Sequence, residues 1–357
     1  MIRGPIKVTR LKGEPAELGT RHGELHGAAI REYTAERVRL SHSGTWSGRE
    51  AAAADVLALA EAMLPAHQRY APDLYEEMAA MASAAGISTA EAVIVGGFTD
   101  FIDAVRAASG PAIEEETCTS LIVPDVATLQ GGFLAQTWDM HDTSEPYVIM
   151  LHLMATGHPR ALVFTTAGCL GQMGMNEAGI AVGINNLTSA DGRVGVTWPF
   201  VVRKVLQQTH LENALTCVVE AELAGGHNFL LFDSRGEGFN VEAMPSGHHV
   251  TKLGDEPLVH TNHTLHPNTT EWQAPRPADL LASSELRLLT ATEILEQRPV
   301  TEKLIEELTK EPGAICRPGA APYHVATCGA AIMRPKTGDL WAVWGLPSAN
   351  PYQHFTI

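Results

Sequence analysis

The sequence predicts an α+β fold in which two stacked β-sheets lie between layers of helices. In the first third of the chain, apolar residues recur at steps of three and four among Ala, Leu, Glu, Met and Arg, which is typical of amphipathic helices. From Cys118 onward the pattern changes to short β-branched runs separated by Gly, Asn, Asp and Pro. Runs of strands with helices between them indicate sheets that pack face to face and are covered by helices.

Four helices are expected before Cys118. The fourth is signalled by Ser88-Thr89-Ala90-Glu91, a capping box that stands ahead of the apolar run Ala92–Phe98. The other three are expected at Glu17–Leu40, Glu50–Tyr70 and Leu74–Ala85. Residues 41–48 and 107–116 have the composition of loops.

Short strands are expected in close succession after Cys118, because β-branched runs alternate there with turn residues. They are Thr119–Val123, Phe133–Thr137, Tyr147–Leu153, Arg160–Thr166, Gln172–Met175 and Ile180–Ile184. Later elements are helices at Pro199–Thr209 and Leu211–Leu223, strands at Asn228–Asp233 and Gly238–Ala243, helices at Ala282–Glu296 and Thr301–Lys310, and a closing hairpin over His324–Trp344 that turns at Pro335–Gly338.

The charge of the chain excludes some classes of partner. Its 357 residues include 41 acidic and 25 basic ones, which gives a formal net charge of -16. Such a surface repels phosphate backbones and anionic lipid headgroups, so neither nucleic acid nor a membrane is an expected partner. The N-terminal residues contain no apolar signal-peptide core, and no stretch approaches about eighteen uninterrupted apolar residues. A soluble cytoplasmic protein is expected.

The five cysteines are scattered and lack C-x-x-C spacing, so the sequence predicts neither a disulfide framework nor a thiolate zinc site. His260, His263 and His266 form an H-x2-H-x2-H string. On a strand or turn, this spacing does not bring three imidazoles together, and no metal or cofactor is expected. His22 is interpreted as a helix histidine, and the glycines between Gly168 and Gly183 as hairpin residues instead of a phosphate loop.

Cys118 stands where an acidic segment, Glu114-Glu115-Glu116-Thr117, gives way to a β-branched strand. If the Thr117–Cys118 peptide bond is cut, Cys118 becomes an N-terminal residue that carries both a thiol and an α-amine. An α-amine with a pKa of about 8 can take the thiol proton during attack, so no partner histidine is required. The competing interpretation is a buried cysteine that acts as a small hydrophobe.

An ordered set of motifs supports the first interpretation. After Cys118-Thr119-Ser120 come Gly131 to Asp139, Thr165 to Gly168, and Gly174-Met175-Asn176-Glu177-Ala178-Gly179 through Asn186-Leu187. Further segments are Gly19-Thr20-Arg21-His22-Gly23, His260-Thr261-Asn262-His263 and the terminal Gly345-Leu346-Pro347. Over about residues 10 to 350, this set resembles the C45 family of N-terminal-nucleophile (Ntn) hydrolases, whose best-known member is the acyl-coenzyme A:6-aminopenicillanate acyltransferase.

The resemblance implies an αββα four-layer sandwich with a helical N-terminal portion. It also implies cleavage between Thr117 and Cys118, which yields a helical segment, residues 1–117, and a catalytic portion, residues 118–357, that stay together as one folded unit. Two departures matter. The family usually has Gly before its cysteine, and the β-branched Thr117 is expected to slow or alter the cleavage. The penicillin enzyme has an arginine where this chain has Leu346, so its particular substrate does not transfer.

The resemblance also implies the other site residues. The family's asparagine that matches Asn262 contributes to the oxyanion hole, and its aspartate that matches Asp139 lies at the active site. From the residues alone, Asn262 also fits a turn asparagine that satisfies its own backbone, and Asp139 also fits a strand terminator. Adjacent strand positions point to opposite faces, so only one of Thr119 and Ser120 can share the face of Cys118.

The sequence therefore predicts a self-processing amidohydrolase that cleaves a linear, non-peptide amide through a thioester on Cys118. Its expected partners are a small-molecule amide and its own cleaved N-terminal segment. The alternatives are an acyltransferase that moves an acyl group to an amine, an uncleaved Cys-His hydrolase, and a non-catalytic binding protein. The acyl and amine halves of the substrate stay open, as does the choice between a monomer and a homo-oligomer.

Overall fold

The computed structural model describes residues 3–44, 46–48, 50–109, 117–321 and 324–357. Most of the loop expected before the cleavage site, residues 110–116, lies outside the described residues. The bond between Thr117 and Cys118 lies within them.

The described part of the chain before Cys118 is mainly helical. Its helices are α1 (Pro15–His42), α2 (Ala53–Tyr70), α3 (Pro72–Ala85), α4 (Thr89–Gly96) and α5 (Phe98–Ser109). The predicted capping box of α4 is confirmed, since the Glu91 N–H donates to the Ser88 hydroxyl at 3.2 Å and the Ser88 N–H to the Glu91 carboxylate at 2.7 Å. The sequence did not predict α5, and residues 107–109 are helical instead of part of a loop.

Helices α1 and α3 pack closely because glycines line their contact. A Cβ atom at Gly19 would come within 2.0 Å of the Glu77 carbonyl oxygen, and one at Gly23 within 2.5 Å of the Met81 carbonyl oxygen. Only glycine allows the two backbones to approach this far. The motif Gly19 to Gly23 therefore has a packing role in this fold.

The rest of the chain supplies most of the strands and the remaining helices. The strands are β1 (Val8–Gly13), β2 (Thr119–Val123), β3 (Phe133–His141), β4 (Val148–Ala155), β5 (Ala161–Thr166), β6 (Met173–Asn176), β7 (Ile180–Asn186), β8 (His227–Asp233), β9 (Gly238–Met244), β10 (Gly247–Lys252), β11 (Leu258–His260), β12 (Val325–Arg334), β13 (Asp339–Trp344) and β14 (Gln353–Thr356). The helices are α6 (Trp198–Val205), α7 (Leu211–Val219), α8 (Pro267–Thr270), α9 (Ala278–Ile294) and α10 (Glu302–Thr309).

The strands form two sheets that face each other. The eight-stranded sheet has the order β1-β4-β5-β6-β7-β8-β9-β10, and the six-stranded sheet the order β11-β2-β3-β12-β13-β14. Strands β2 and β3 of the second sheet contact β7 and β8 of the first. The paired strands are antiparallel except for β1, which runs parallel to β4.

Helices cover the outer faces of both sheets. On the eight-stranded sheet, α6 and α7 pack against β7, β8 and β9, while α9 and α10 contact the six-stranded sheet. A separate apolar cluster lies beneath α9 and α10, where Ala291 and Ile305 meet Leu121, Phe133 and Ile332. The predicted αββα four-layer sandwich with a helical N-terminal portion is confirmed.

The N-terminal segment, residues 3–117, is tied to the rest of the chain by polar contacts as well as by a shared apolar core. The Arg203 guanidinium donates to the Glu77 carboxylate at 2.8 and 2.7 Å, and the Tyr70 hydroxyl donates to the Cys217 carbonyl at 2.6 Å. Strand β1 also belongs to this segment and pairs with β4, so the segment is not purely helical.

Among the described residues, no single helix is both long enough and apolar enough to cross a membrane. Helices α3 and α4, which meet at a bend of 106°, have the length and hydropathy of a membrane span only when taken together.

Candidate active site

Cys118 immediately precedes β2, in the middle of the sandwich. Along β2, Ile122 shares the face of Cys118 and belongs to the core between the sheets, whereas Leu121 and Val123 belong to the cluster beneath α9 and α10. The Cys118 side chain is fully buried in the intact chain, and its thiol lies 3.9 Å from the Asp139 carbonyl oxygen. The cysteine therefore lies on the side of β2 that faces the other sheet.

Asn262 lies beside Cys118 because β11 pairs with β2. In that antiparallel register His260 is opposite Ser120, so two residues further along the chain Asn262 comes alongside Cys118. The Cys118 N–H donates to the Asn262 side-chain oxygen at 2.7 Å, and the Asn262 amide nitrogen donates to the Asn186 carbonyl at 3.0 Å. The asparagine is thus held on both sides of its amide group.

Asp139 lies on the opposite side of Cys118, on β3. Thr119 pairs with Thr137 in the register of β2 and β3, and continuing that register sets Thr117 against Asp139. The Thr117 hydroxyl donates to the Asp139 carboxylate at 3.1 Å, and both residues are fully buried. The structure therefore brings Cys118, Asp139 and Asn262 together around the bond between Thr117 and Cys118.

Arg287 is a site residue that the sequence reasoning missed. It extends from α9 through the cluster beneath that helix, and its guanidinium donates to the Cys118 carbonyl, to Asn262 Oδ1 at 3.0 Å and to the Thr119 hydroxyl at 3.3 Å. The sequence carried no clear signal for it. Arg287 shares the buried face of α9 with Leu280, Ser284 and Ala291, whereas Leu286 and Leu289 of the same helix are exposed, so the apolar pattern does not mark this face.

Burial shifts the pKa values of two charged groups in opposite directions. Burial raises the pKa of the Asp139 carboxyl to about 6, although the nearby Arg287 guanidinium opposes the rise. Burial lowers the pKa of the Arg287 guanidinium to about 10, and the Asp139 and Cys118 charges oppose that fall. Near neutral pH, the site therefore holds a buried guanidinium cation beside a carboxyl group that titrates close to pH 6.

Asparagine side chains from the eight-stranded sheet extend the polar surroundings of Cys118. Ser120, which shares the face of Cys118, donates its hydroxyl hydrogen to Asn185 Oδ1. Asn228 donates to Asn240 Oδ1 at 2.8 Å and approaches Asn185 Oδ1 at 3.5 Å. Ser120, Asn185 and Asn228 are fully buried, so this side of the cysteine is polar although it lies between the two sheets.

The three histidines near Asn262 make their hydrogen bonds elsewhere. His260 bonds the Thr261 carbonyl at 2.8 Å and the Glu242 carboxylate at 3.0 Å. His263 bonds the Ser284 hydroxyl at 2.8 Å, and His266 accepts from the Asn268 N–H at 3.2 Å. Within the described ranges, no group of three or more His, Cys, Asp or Glu side chains is arranged to hold a metal ion.

His22 is a buried helix residue. Its Nε2 accepts the Gly168 N–H at 3.3 Å, and its ring meets that of His26 edge to face with centroids 5.6 Å apart. Burial lowers the pKa of His22 to about 3, with the neighbouring His26 and Arg203 acting in the same direction. His22 is therefore neutral near pH 7 and joins α1 to the turn at Gly168.

Known proteins resemble this chain over most of its length. Residues 126–349, which include Asp139, Asn262 and Arg287, match the family described as acyl-coenzyme A:6-aminopenicillanic acid acyl-transferase. One relative, the acyl-coenzyme A:6-aminopenicillanic-acid-acyltransferase 40 kDa form of Emericella nidulans, is 26% identical over 257 residues, which cover 71% of this chain and 68% of that protein.

Two solved structures are also similar. The Caenorhabditis elegans N-acylethanolamine-hydrolyzing acid amidase ortholog has a TM-score of 0.45 and 16% identity, over 61% of this chain and 93% of its own. A mutant of the conjugated bile acid hydrolase from Clostridium perfringens has a TM-score of 0.44 and 10% identity, over 67% and 97%. The resemblance inferred from the sequence motifs is confirmed by the family match, and the chain belongs to the acyl-coenzyme A:6-aminopenicillanic acid acyl-transferase family.

Proposed function

We propose that this chain cuts itself between Thr117 and Cys118 and then hydrolyses a linear, non-peptide amide with Cys118 as an N-terminal nucleophile. The observation that carries the proposal is the 2.7 Å hydrogen bond from the Cys118 N–H to Asn262 Oδ1. This hydrogen bond fixes the nitrogen of the Thr117–Cys118 bond. After cleavage, the α-amine of Cys118 would therefore still lie beside Asn262 and next to the Cys118 thiol.

Self-cleavage would begin with attack of the Cys118 thiol on the Thr117 carbonyl carbon. As the C–S bond forms, the C–N bond breaks and the thiol proton ends on the nitrogen, which leaves a thioester between Thr117 and Cys118. Water then replaces sulfur, which gives the Thr117 carboxyl group and returns the thiol. Asn262 and Arg287 support this step, because they hold the peptide N–H and the carbonyl of Cys118 respectively.

The same thiol would then act on an amide substrate. The new α-amine of Cys118 takes the thiol proton and passes it to the leaving amine, since α-amines in model peptides have a pKa of about 8. The acyl group forms a thioester on Cys118, which water hydrolyses. Asp139 would hold the α-ammonium, since its carboxyl group lies beside the scissile bond and accepts the Thr117 hydroxyl in the intact chain.

Asn262 would stabilise the oxyanion that forms at the substrate carbonyl. Its amide nitrogen carries two hydrogens, and the Asn186 carbonyl takes one of them in the intact chain. Its orientation is fixed, because Asn262 Oδ1 receives hydrogens from both Cys118 and Arg287. One such preorganised donor contributes about 10² to 10³ in rate.

The net charge of the chain and its family each bear on the class of substrate. The formal net charge of -16 favours a neutral or cationic amide over a polyanionic donor such as coenzyme A. The main alternative is transfer of the acyl group from the thioester to an amine, which the acyl-transferase family match favours. An uncleaved Cys-His hydrolase is less well supported, because His260, His263 and His266 bond Glu242, Ser284 and Asn268.

The test is to trap the acyl group. Wild type is incubated with a panel of N-acyl amides that differ in the charge of the amine half, quenched in acid and analysed by mass spectrometry, with Cys118→Ala as control. The proposal expects amine release and a hydroxylamine-sensitive acyl adduct on residues 118–357 in wild type alone. Amide turnover by Cys118→Ala would contradict it, and accumulation of a new amide when an acceptor amine is added would favour acyl transfer.

A further inference from the structure

Thr117 stands immediately before the proposed nucleophile, at a position where the family resemblance implies Gly. Bulk and β-branching alone suggest that Thr117 hinders self-cleavage. Its side chain nevertheless makes a defined contact, because the hydroxyl donates to Asp139 Oδ2 at 3.1 Å, with both side chains fully buried. A glycine could not make this contact.

The contact adds a hydrogen bond on the acyl side of the scissile peptide bond. On the amine side of the bond, the Cys118 N–H is fixed by Asn262 and the Cys118 carbonyl by Arg287. On the acyl side, the hydrogen bond to Asp139 anchors the Thr117 side chain. The carbonyl that must receive the thiol belongs to Thr117, so this anchor bears directly on the geometry of attack.

The anchor is built into the sheet. Thr119 pairs with Thr137 and Ser120 with Gln136, and continuing the register brings Thr117 and Asp139 face to face as a cross-strand pair. A threonine has few rotamers in extended backbone, so its hydroxyl is held toward the carboxylate at little entropic cost. The acceptor is a buried carboxyl group, and a hydrogen bond to a charged group is stronger than one between neutral groups.

We infer that Thr117 is a positioning residue for self-cleavage: its hydroxyl, bound to Asp139, holds the scissile carbonyl in place for attack by the Cys118 thiol. This inference rests on the proposed self-processing. The expectation from side-chain bulk is thereby reversed. Thr117→Gly, which removes the bulk, should slow self-cleavage of this chain instead of speeding it.

Three substitutions separate the hydroxyl from the bulk. Thr117→Val keeps the β-branched shape and loses the hydroxyl, Thr117→Ser keeps the hydroxyl, and Thr117→Gly loses both. Thr165→Val is the matched control, because Thr165 is a fully buried strand threonine whose hydroxyl donates elsewhere, to the Cys169 carbonyl at 3.2 Å. Each chain is made by cell-free synthesis, and the fraction cut after translation is stopped is followed by denaturing mass spectrometry.

The expected result is cleavage slowed about tenfold or more in Thr117→Val and Thr117→Gly, with Thr117→Ser and Thr165→Val close to wild type. Equal rates in wild type, Val and Gly would overturn the inference and leave self-processing standing. Thr117→Ser cleaving as slowly as Thr117→Val would also overturn the inference and leave self-processing standing. So would a Thr165→Val control slowed to the same extent as Thr117→Val. A wild type that never cleaves would overturn both the inference and the proposed function.

Discussion

The side-chain oxygen of Asn262 accepts the backbone N–H of Cys118 at 2.7 Å, although the two residues are 144 positions apart in the chain. They meet because β11 pairs with β2 in a register that carries Asn262 alongside Cys118. The same oxygen also accepts from Arg287 at 3.0 Å. Asn262 thus fixes the nitrogen of the proposed scissile bond. Asn262 is in turn held by Arg287, which lies on α9 at the outer face of the sheet.

Asn262 is expected to act in two separable ways. Asn262→Asp keeps an oxygen to accept the Cys118 N–H but loses the amide hydrogens, whereas Asn262→Ala loses both. We expect amide turnover per cleaved chain to fall about 10² to 10³ in both variants, because both lack the oxyanion donor. The rate of self-cleavage, measured by denaturing mass spectrometry, should be higher in Asn262→Asp than in Asn262→Ala. Wild-type turnover in Asn262→Asp would contradict the oxyanion role.

The pH dependence of self-cleavage is expected to follow Asp139. Burial raises its pKa to about 6 and the Arg287 guanidinium lowers it, so removal of that cation raises the pKa further. If Asp139 must be ionised to accept the Thr117 hydroxyl in the intact chain, the acid limb of the self-cleavage rate, followed by denaturing mass spectrometry, lies near pH 6 in wild type and moves to higher pH in Arg287→Gln.

Arg317→Gln is the matched control for that shift. Arg317 also lowers the Asp139 pKa through its charge, but its effect is smaller than that of Arg287. The acid limb should therefore move less in Arg317→Gln than in Arg287→Gln. An acid limb that stays in place in Arg287→Gln, or moves to lower pH, would show that self-cleavage does not depend on the ionisation of Asp139.

The N-terminal segment is expected to stay bound after cleavage through the ion pair of Glu77 and Arg203. Both side chains are at most 3% exposed, and Arg203 Nη1 also donates to the Leu170 carbonyl at 3.0 Å. Glu77→Ala leaves a buried guanidinium without its partner, at a cost of about 3 to 5 kcal/mol. Native mass spectrometry of the cleaved protein should then detect free 1–117 segment, which wild type is expected to retain.

The double variant Glu77→Leu with Arg203→Met is the control for this prediction. It removes both charges, so no buried cation is left unpaired, and a matched apolar pair is often as stable as the ions it replaces. The double variant should hold the segment better than Glu77→Ala does. Equal retention of the segment in all three proteins would show that the ion pair is not what keeps it bound.

The glycines of α1 are expected to differ in their tolerance of a methyl group. A Cβ at Gly19 would lie 2.0 Å from a backbone oxygen of α3, so Gly19→Ala should destabilise the fold by about 3 kcal/mol. At Gly27 the nearest atom is the end of the Arg31 side chain at 3.3 Å, so Gly27→Ala should be neutral or gain up to about 1 kcal/mol of helix propensity. Thermal unfolding of the two variants measures the difference, and equal melting temperatures would count against the close helix contact.

The fold was largely readable from the sequence because most buried elements carry a clear apolar period. Strands β1, β10 and β14, none of which was predicted, are edge strands of the two sheets. One side of an edge strand faces solvent, and sequences such as Gly247-His248-His249-Val250-Thr251-Lys252 are accordingly polar and lack a strand signal. Helix α5 was missed because the apolar run of α4 leads directly through Gly97 into Phe98.

The site was only partly readable for a different reason. Cys118, Asp139 and Asn262 could be selected because the family motifs mark them, and they meet through strand pairing. Arg287 lies on a helix beyond those motifs and reaches the Cys118 carbonyl only once α9 packs on the sheet. Its contact depends on the packing of layers, which residue spacing along the chain does not encode.

The most direct test of the account is the intact mass of wild type and Cys118→Ala under denaturing conditions. Self-cleavage before Cys118 predicts two species in wild type, residues 1–117 and residues 118–357, and one full-length species in Cys118→Ala. A folded wild type that stays full length, or a Cys118→Ala chain that is cut at the same bond, would contradict Cys118 as a self-released N-terminal nucleophile.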